Sequence, residues 1–386
     1  MLSRGAPRSL VQMTRSWLSA LVCLVGCGDN LEVVADYDRV VGAADVSILY
    51  PLPETLDLMI QPSDRAVFGQ LFPEALFPTA IGPIDLGMTY GDMRLVALRL
   101  DPCSARNTCS AEVRAIYQPV VVGSGGQLTV ADGAIHVFYG MPQAELVAFL
   151  KQILVLKKSY GDGIDYGSTL GPHPILFATG LDGDFARGLH ALVLEHLGES
   201  RIERFTEFNH QIPGRDRWDF YLFERVDAEL VRQQIATTAT DEQQVTGTHT
   251  DPQHAGGIAM VSPALESSVV AVVSETRPPD VTDEIRTGFA RAVELQDPTK
   301  QTSESVDCVS CHLAEGARRV GAAEYGLSTT IAFHSERSLQ YRRDLTAVTN
   351  LHMFAYVGRN ASVTQRVANE SAVTADALQE LLIASP

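Results

Sequence analysis

Two thiols and an imidazole stand together in this chain as Cys308-Val309-Ser310-Cys311-His312. That spacing suits covalent haem attachment: each sulfur forms a thioether to a vinyl group of one porphyrin, and the adjoining histidine ligates the iron. With 6 cysteines and 10 histidines in 386 residues, chance produces the pattern about 0.002 times in a chain of this composition. Three other chemistries use the same residue types: a disulfide inside the Cys-x-x-Cys loop, a thioredoxin-like dithiol, and half of a zinc site. Zinc needs two more soft ligands, yet no cysteine follows Cys311, and residues 303–307 do not read as the buried strand that precedes a thioredoxin motif. The pentapeptide therefore predicts one covalent haem c, anchored by Cys308 and Cys311, with His312 on its iron.

The other face of the iron takes a second side chain or stays open, and that choice separates electron transfer from ligand binding or catalysis. Met353 is the leading candidate, in a segment, 350–358, that reads as a loop or short strand. His352, His334 and an open position compete with it. In an extended segment His352 and Met353 point to opposite sides, so one of them at most faces the iron. Methionine ligation raises the reduction potential relative to two histidines.

Residues 283–386 must position these groups. Asp283 and Glu284 favour a helix start, and Ile285, Phe289, Ala292 and Val293 make an apolar stripe that ends at Asp297-Pro298. Farther on, Asn369 is placed to cap a helix with Val373, Ala377, Leu381 and Leu382 as its buried face. With terminal helices and a haem-holding loop between them, this segment resembles the class I c-type cytochrome fold, which implies a small all-α domain. The resemblance covers about a quarter of the chain and rests on architecture and one motif. The long 296–305 spacer between first helix and motif departs from that pattern.

Upstream, residues 46–273 read as an α+β domain. Residues 94–100, 112–120, 134–139, 202–208 and 218–223 have strand patterns, and 143–157 and 185–197 have helical ones. His136 on a strand and His190 and His196 on a helix read as structural histidines. The polar stretch 237–254, with His249 and His254, reads as a mobile loop. Arg277-Pro278-Pro279-Asp280, within 274–282, marks a stiff linker between the two domains. No Gly-x-Ser-x-Gly elbow or phosphate-binding glycine loop is present.

The first residues set the compartment. Arg4, Arg8 and Arg15 form a basic region, 17–25 an apolar one too short to span a bilayer, and Leu24-Val25-Gly26-Cys27 a cleavage site. This resembles a bacterial lipoprotein signal, which implies removal of residues 1–26, lipidation of Cys27 and a tether over 27–45. A plain secretory signal is the alternative. Gly28, by resemblance to other lipoproteins, points to the outer membrane, facing the periplasm or the cell surface. In that oxidising space Cys103 and Cys109, separated by polar turn residues, read as a disulfide, with a catalytic dithiol as the rival. The net charge of −17, or −20 without the three signal arginines, argues against nucleic acid and favours a basic redox partner protein or simple solubility.

Together these features predict a membrane-anchored mono-haem c-type cytochrome that transfers single electrons, rather than a catalyst; one motif excludes a two-haem peroxidase. The alternative is a lipoprotein binding or sensor module in which the haem is structural or gas-binding. The chain also resembles a group of bacterial lipoproteins carrying one Cys-Val-Ser-Cys-His near the C-terminus. Asp101-Pro102-Cys103, Leu170-Gly171-Pro172-His173-Pro174 and Arg366-Val367-Ala368-Asn369-Glu370 carry that likeness, which implies haem and membrane attachment but no substrate.

Overall fold

The computed structural model describes residues 41–77, 89–103, 110–211, 216–227, 229–248, 257–260, 266–302, 305–328, 333–342 and 347–385. Cys27, Cys109, His249 and His254 lie outside them, as do the signal and most of the tether.

Apolar runs rather than strict alternation mark the central strands, as in Met93, Leu95, Val96, Ala97 and Leu98, all buried, because both faces of the sheet are covered. Ten strands build it: β1 (Ser47–Leu49), β2 (Met93–Asp101), β3 (Ala111–Val122), β4 (Leu128–Val130), β5 (Gly133–Met141), β6 (Ile202–Gln211), β7 (Asp216–Val226), β8 (Glu229–Gln233), β9 (Glu242–Thr248) and β10 (Gly257–Met260). Their order is β1-β2-β3-β5-β6-β7-β9-β10, with β4 on β3 and β8 on β7, and every pair is antiparallel. The described residues also form eight helices: α1 (Ala43–Val46), α2 (Gln143–Tyr160), α3 (Pro174–Thr179), α4 (Asp184–His196), α5 (Ser267–Val273), α6 (Asp283–Glu294), α7 (Cys308–Ala323) and α8 (Gln365–Ala384).

One face of the sheet packs on α2, α4 and residues 50–77. Phe72 meets the rings of Tyr117 and Phe205, and the Tyr139 hydroxyl donates to the Leu71 carbonyl at 2.7 Å. The other face lies under the C-terminal third, where Gln118 on β3 exchanges hydrogen bonds with the Tyr356 backbone at 2.8 and 3.0 Å. Helix α8 runs from that second face past the β1 edge to α2: Ser371 meets Ser47 at 2.7 Å, and Lys151 donates to the Ser385 carbonyl at 3.0 Å.

The α+β reading of the chain therefore stands as mixed helix and sheet, but residues 283–386 are not all-α. A hairpin, β11 (Phe354–Val357) and β12 (Asn360–Val363), turns at Gly358, whose φ of 61° favours glycine. It shares the sheet's core: Phe354, Tyr356 and Val363 lie in one apolar cluster with Leu95, Val113 and Val137. The expected capping by Asn369 is also corrected. Thr364 caps α8 by accepting from Val367, whereas Asn369 is buried within the helix and donates to the Gln296 carbonyl at 2.7 Å. The buried stripe is accordingly Ala372, Ala375, Leu378 and Leu382, with Val373, Ala377 and Leu381 half-buried.

Helices α5, α6 and α7 pack together at close range. A Cβ on Gly288 would collide with the Ser268 carbonyl, and one on Gly321 with the Phe289 ring, so glycine sets both contacts. The 274–282 stretch turns at residues 274–277 and is strapped down: Arg277 makes two 2.8 Å bonds to Glu324, and Tyr325 donates to the Pro278 carbonyl at 2.7 Å. Part of 237–254 is strand β9 rather than a loop, because buried Gln243 finds partners on α7 that its polarity alone did not announce.

Candidate functional site: the Cys-x-x-Cys-His helix on the sheet

Helix α7 begins at the motif because Asp307 caps it. The Asp307 carboxylate accepts from Ser310 N at 3.0 Å and from Gln243 Nε2 at 2.7 Å, while Gln243 Oε1 accepts from Val309 N at 3.2 Å. Strand β9 thus pins the first turn. Within that turn Cys308 and Cys311 are three apart and His312 is four from Cys308, so all three share one side of the helix.

Both cysteines are free thiols in this structure. Burial pushes the Cys308 thiol up to about 12 and raises that of Cys311 as well. A reactive dithiol needs the opposite shift, toward thiolate. Among the described residues no group of three or more His, Cys, Asp or Glu side chains is arranged to hold a bare metal ion.

The His312 ring stacks on Phe208 at 5.7 Å and meets Phe220 edge-on at 4.9 Å. Its Nδ1 lies 2.6 Å from the Leu351 carbonyl oxygen. A carbonyl only accepts, so Nδ1 carries the proton and Nε2 presents its lone pair. Burial holds the imidazole down to about 4, neutral at physiological pH. This is the tautomer and charge state that a metal-ligating histidine requires.

Of the three candidates for the opposite face, Met353 reaches the motif, its sulfur 3.9 Å from Cys311 Sγ. His352 is buried against the same Phe208 ring as His312, edge-on at 5.0 Å, and lies 3.3 Å from the Asp132 carboxylate. His334 is exposed. Cys103 is disulfide-bonded, and its expected partner Cys109 lies outside the described residues. Of the histidines read as structural, His196 is buried against Phe149 and 3.0 Å from Gln152 Oε1.

His136 is different, and its role at the site was not visible in the sequence. On β5 it pairs with Ile116 and Thr206, one row from Phe208 on the same sheet face. Burial, then the nearby charge of Arg114, holds its imidazole well below the usual range. Arg114, next to it on that face, is the other residue missed, since alternation in a strand says which face a side chain takes but not what lies opposite. Cys308, Cys311, His312, Met353, His136 and Arg114 are each half-buried although they lie where sheet and helices meet.

The donor set fits a haem c. Its thiols are unpaired and share one side of a helix, its imidazole is fixed in the ligating tautomer, and a thioether stands beside the second thiol. Comparison with known proteins finds no matching family model, no similar curated protein and no similar solved structure.

Proposed function

We propose that this chain is a lipid-anchored, mono-haem c-type cytochrome that passes single electrons to or from a protein partner. A haem bound here supplies a one-electron iron couple. Cys308 and Cys311 hold the porphyrin covalently, His312 ligates the iron through Nε2, and Met353 is the second ligand. The observation that carries the reading is the His312 Nδ1 to Leu351 carbonyl bond, which orients the imidazole before any metal arrives. Asp307 and Gln243 keep the motif on a helix start, and Phe208 and Phe220 keep water from the histidine. In this reading the haem-bearing unit is segment 283–386, helices α6, α7 and α8 with the β11–β12 hairpin, fused to the sheet rather than free of it.

Lipidation of Cys27 places the protein on a membrane of the cell envelope, and the acidic surface suits a basic redox partner. The test is the mass and absorption spectrum of the mature protein made with cytochrome c maturation machinery. One porphyrin and a low-spin spectrum unchanged by carbon monoxide are expected. A colourless protein of acylated polypeptide mass overturns the reading, and prompt carbon monoxide binding replaces electron transfer with gas sensing.

A further inference from the structure

A ladder of opposed residues crosses the sheet on the motif-facing side: Arg99 on β2, Arg114 on β3, Phe138 on β5 and Arg204 on β6. The next row holds His136, and the one after it Phe208, on which His312 stacks. Successive rows are about 7 Å apart. Most of these charges are matched. Glu112 takes Arg204 through both oxygens at 2.8 Å, with Glu203 also near Arg204, and Glu370 on α8 is shared by Arg99 at 3.0 Å and Arg366 at 2.8 Å.

Arg114 is matched more loosely than its neighbours, by Glu112 at the limit of ion-pair distance and by the charge of Glu370. Its nearest carboxylate oxygen, on Glu112, is 3.9 Å away, its Nε is buried without a hydrogen-bond partner, and its guanidinium rests on the Phe138 ring at 4.4 Å opposite that of Arg204 at 3.9 Å. Burial and then the neighbouring Arg99 depress it to about 10. A planar fork of donors, held by an aromatic face between two other cations, is built for a carboxylate.

We propose that Arg114 is a receptor for a carboxylate group entering between the sheet and the motif helix. That carboxylate is either a propionate of the porphyrin, which rests on the haem reading above, or a free small carboxylic acid, which does not.

Two arms separate the sources, both on the full mature chain. In the haem-loaded protein, the reduction potential is followed from about pH 5 to 8. With a propionate clamped by Arg114 the wild type is flat, and Arg114→Gln introduces a pH-dependent segment as the freed propionate titrates. Arg114→Lys, which keeps the charge, stays close to flat; mere loss of a distant charge would shift the Gln variant equally at every pH. In a Cys308→Ser/Cys311→Ser chain, succinate at matched ionic strength raises the thermal midpoint with the logarithm of its concentration if the ligand is free, and Arg114→Gln abolishes that rise. A response in either arm that Arg114→Gln produces or removes supports the receptor. No response in both arms overturns it. If the protein is colourless the haem reading fails, and the succinate arm alone decides.

Discussion

His312 owes its Nδ1-protonated tautomer to a backbone carbonyl supplied by Leu351, and single residues elsewhere are governed in the same way by what burial places beside them. Met353 is the residue whose role is tested most simply. Met353→Ala is expected to move the iron toward high spin and to admit carbon monoxide, while an unaltered spectrum removes it from the iron. A second residue-scale prediction concerns the opposite sheet face, where Glu207 is buried with neither carboxylate oxygen hydrogen-bonded. Burial, then the charge of Asp219, push Glu207 up to about 8 from an ordinary 4.5. The folded chain then binds a proton that the unfolded chain has released between those values, so stability falls as pH rises through the window. Glu207→Gln should stabilise by about 5 kcal/mol at most above pH 8 and leave stability unchanged below pH 4, read by chemical denaturation across the range.

The elements that present the motif depend on a few contacts each. Asp307 and Gln243 together satisfy the first turn of α7 and tie it to β9, so Asp307→Ala is expected to cost about 2 kcal/mol and to remove the acceptor of Gln243 Nε2. Reduced haem incorporation at equal expression would accompany it, measured by absorbance per mole of chain. Gly288→Ala drives a methyl into the Ser268 carbonyl and should separate α5 from α6 at a cost of about 2 kcal/mol. A wild-type melting temperature in that variant would show the helices to be less closely set. At this scale the sequence was legible where one element satisfied itself. The Ile285 and Phe289 stripe, the α2 stripe from Leu146 to Ile153 and the strands around Leu98 and Val113 all lie where periodicity puts them. For α8 the helix was legible but its start was not, because Asn369 reads as a cap until the Gln296 carbonyl is seen to receive it, and β9 was illegible because its glutamine is paid for by Asp307 across 64 residues.

The whole molecule draws its C-terminal third into the sheet. The β11–β12 hairpin and α8 bury Phe354, Val363, Val367 and Leu378 in the same cluster as Leu49, Leu98 and Leu150, while α5, α6 and α7 close over Trp218, Phe220 and Val245. Residues 283–386 expressed alone are therefore expected to lack cooperative unfolding and slow amide exchange, since the apolar faces that pack on the sheet would face water. A fragment that melts cooperatively would show a domain after all. The amino-acid sequence by itself determined the chemistry that Cys308, Cys311 and His312 are suited to, the acidic surface and the periodic elements, because each is written in residues a few positions apart. Only the tertiary structure decided that Leu351 fixes the imidazole, that Met353 rather than His352 or His334 stands by Cys311, and that Arg114 and His136 face the motif. Those contacts join residues that are far apart in the chain, and they follow from strand order and register, which no local pattern specifies.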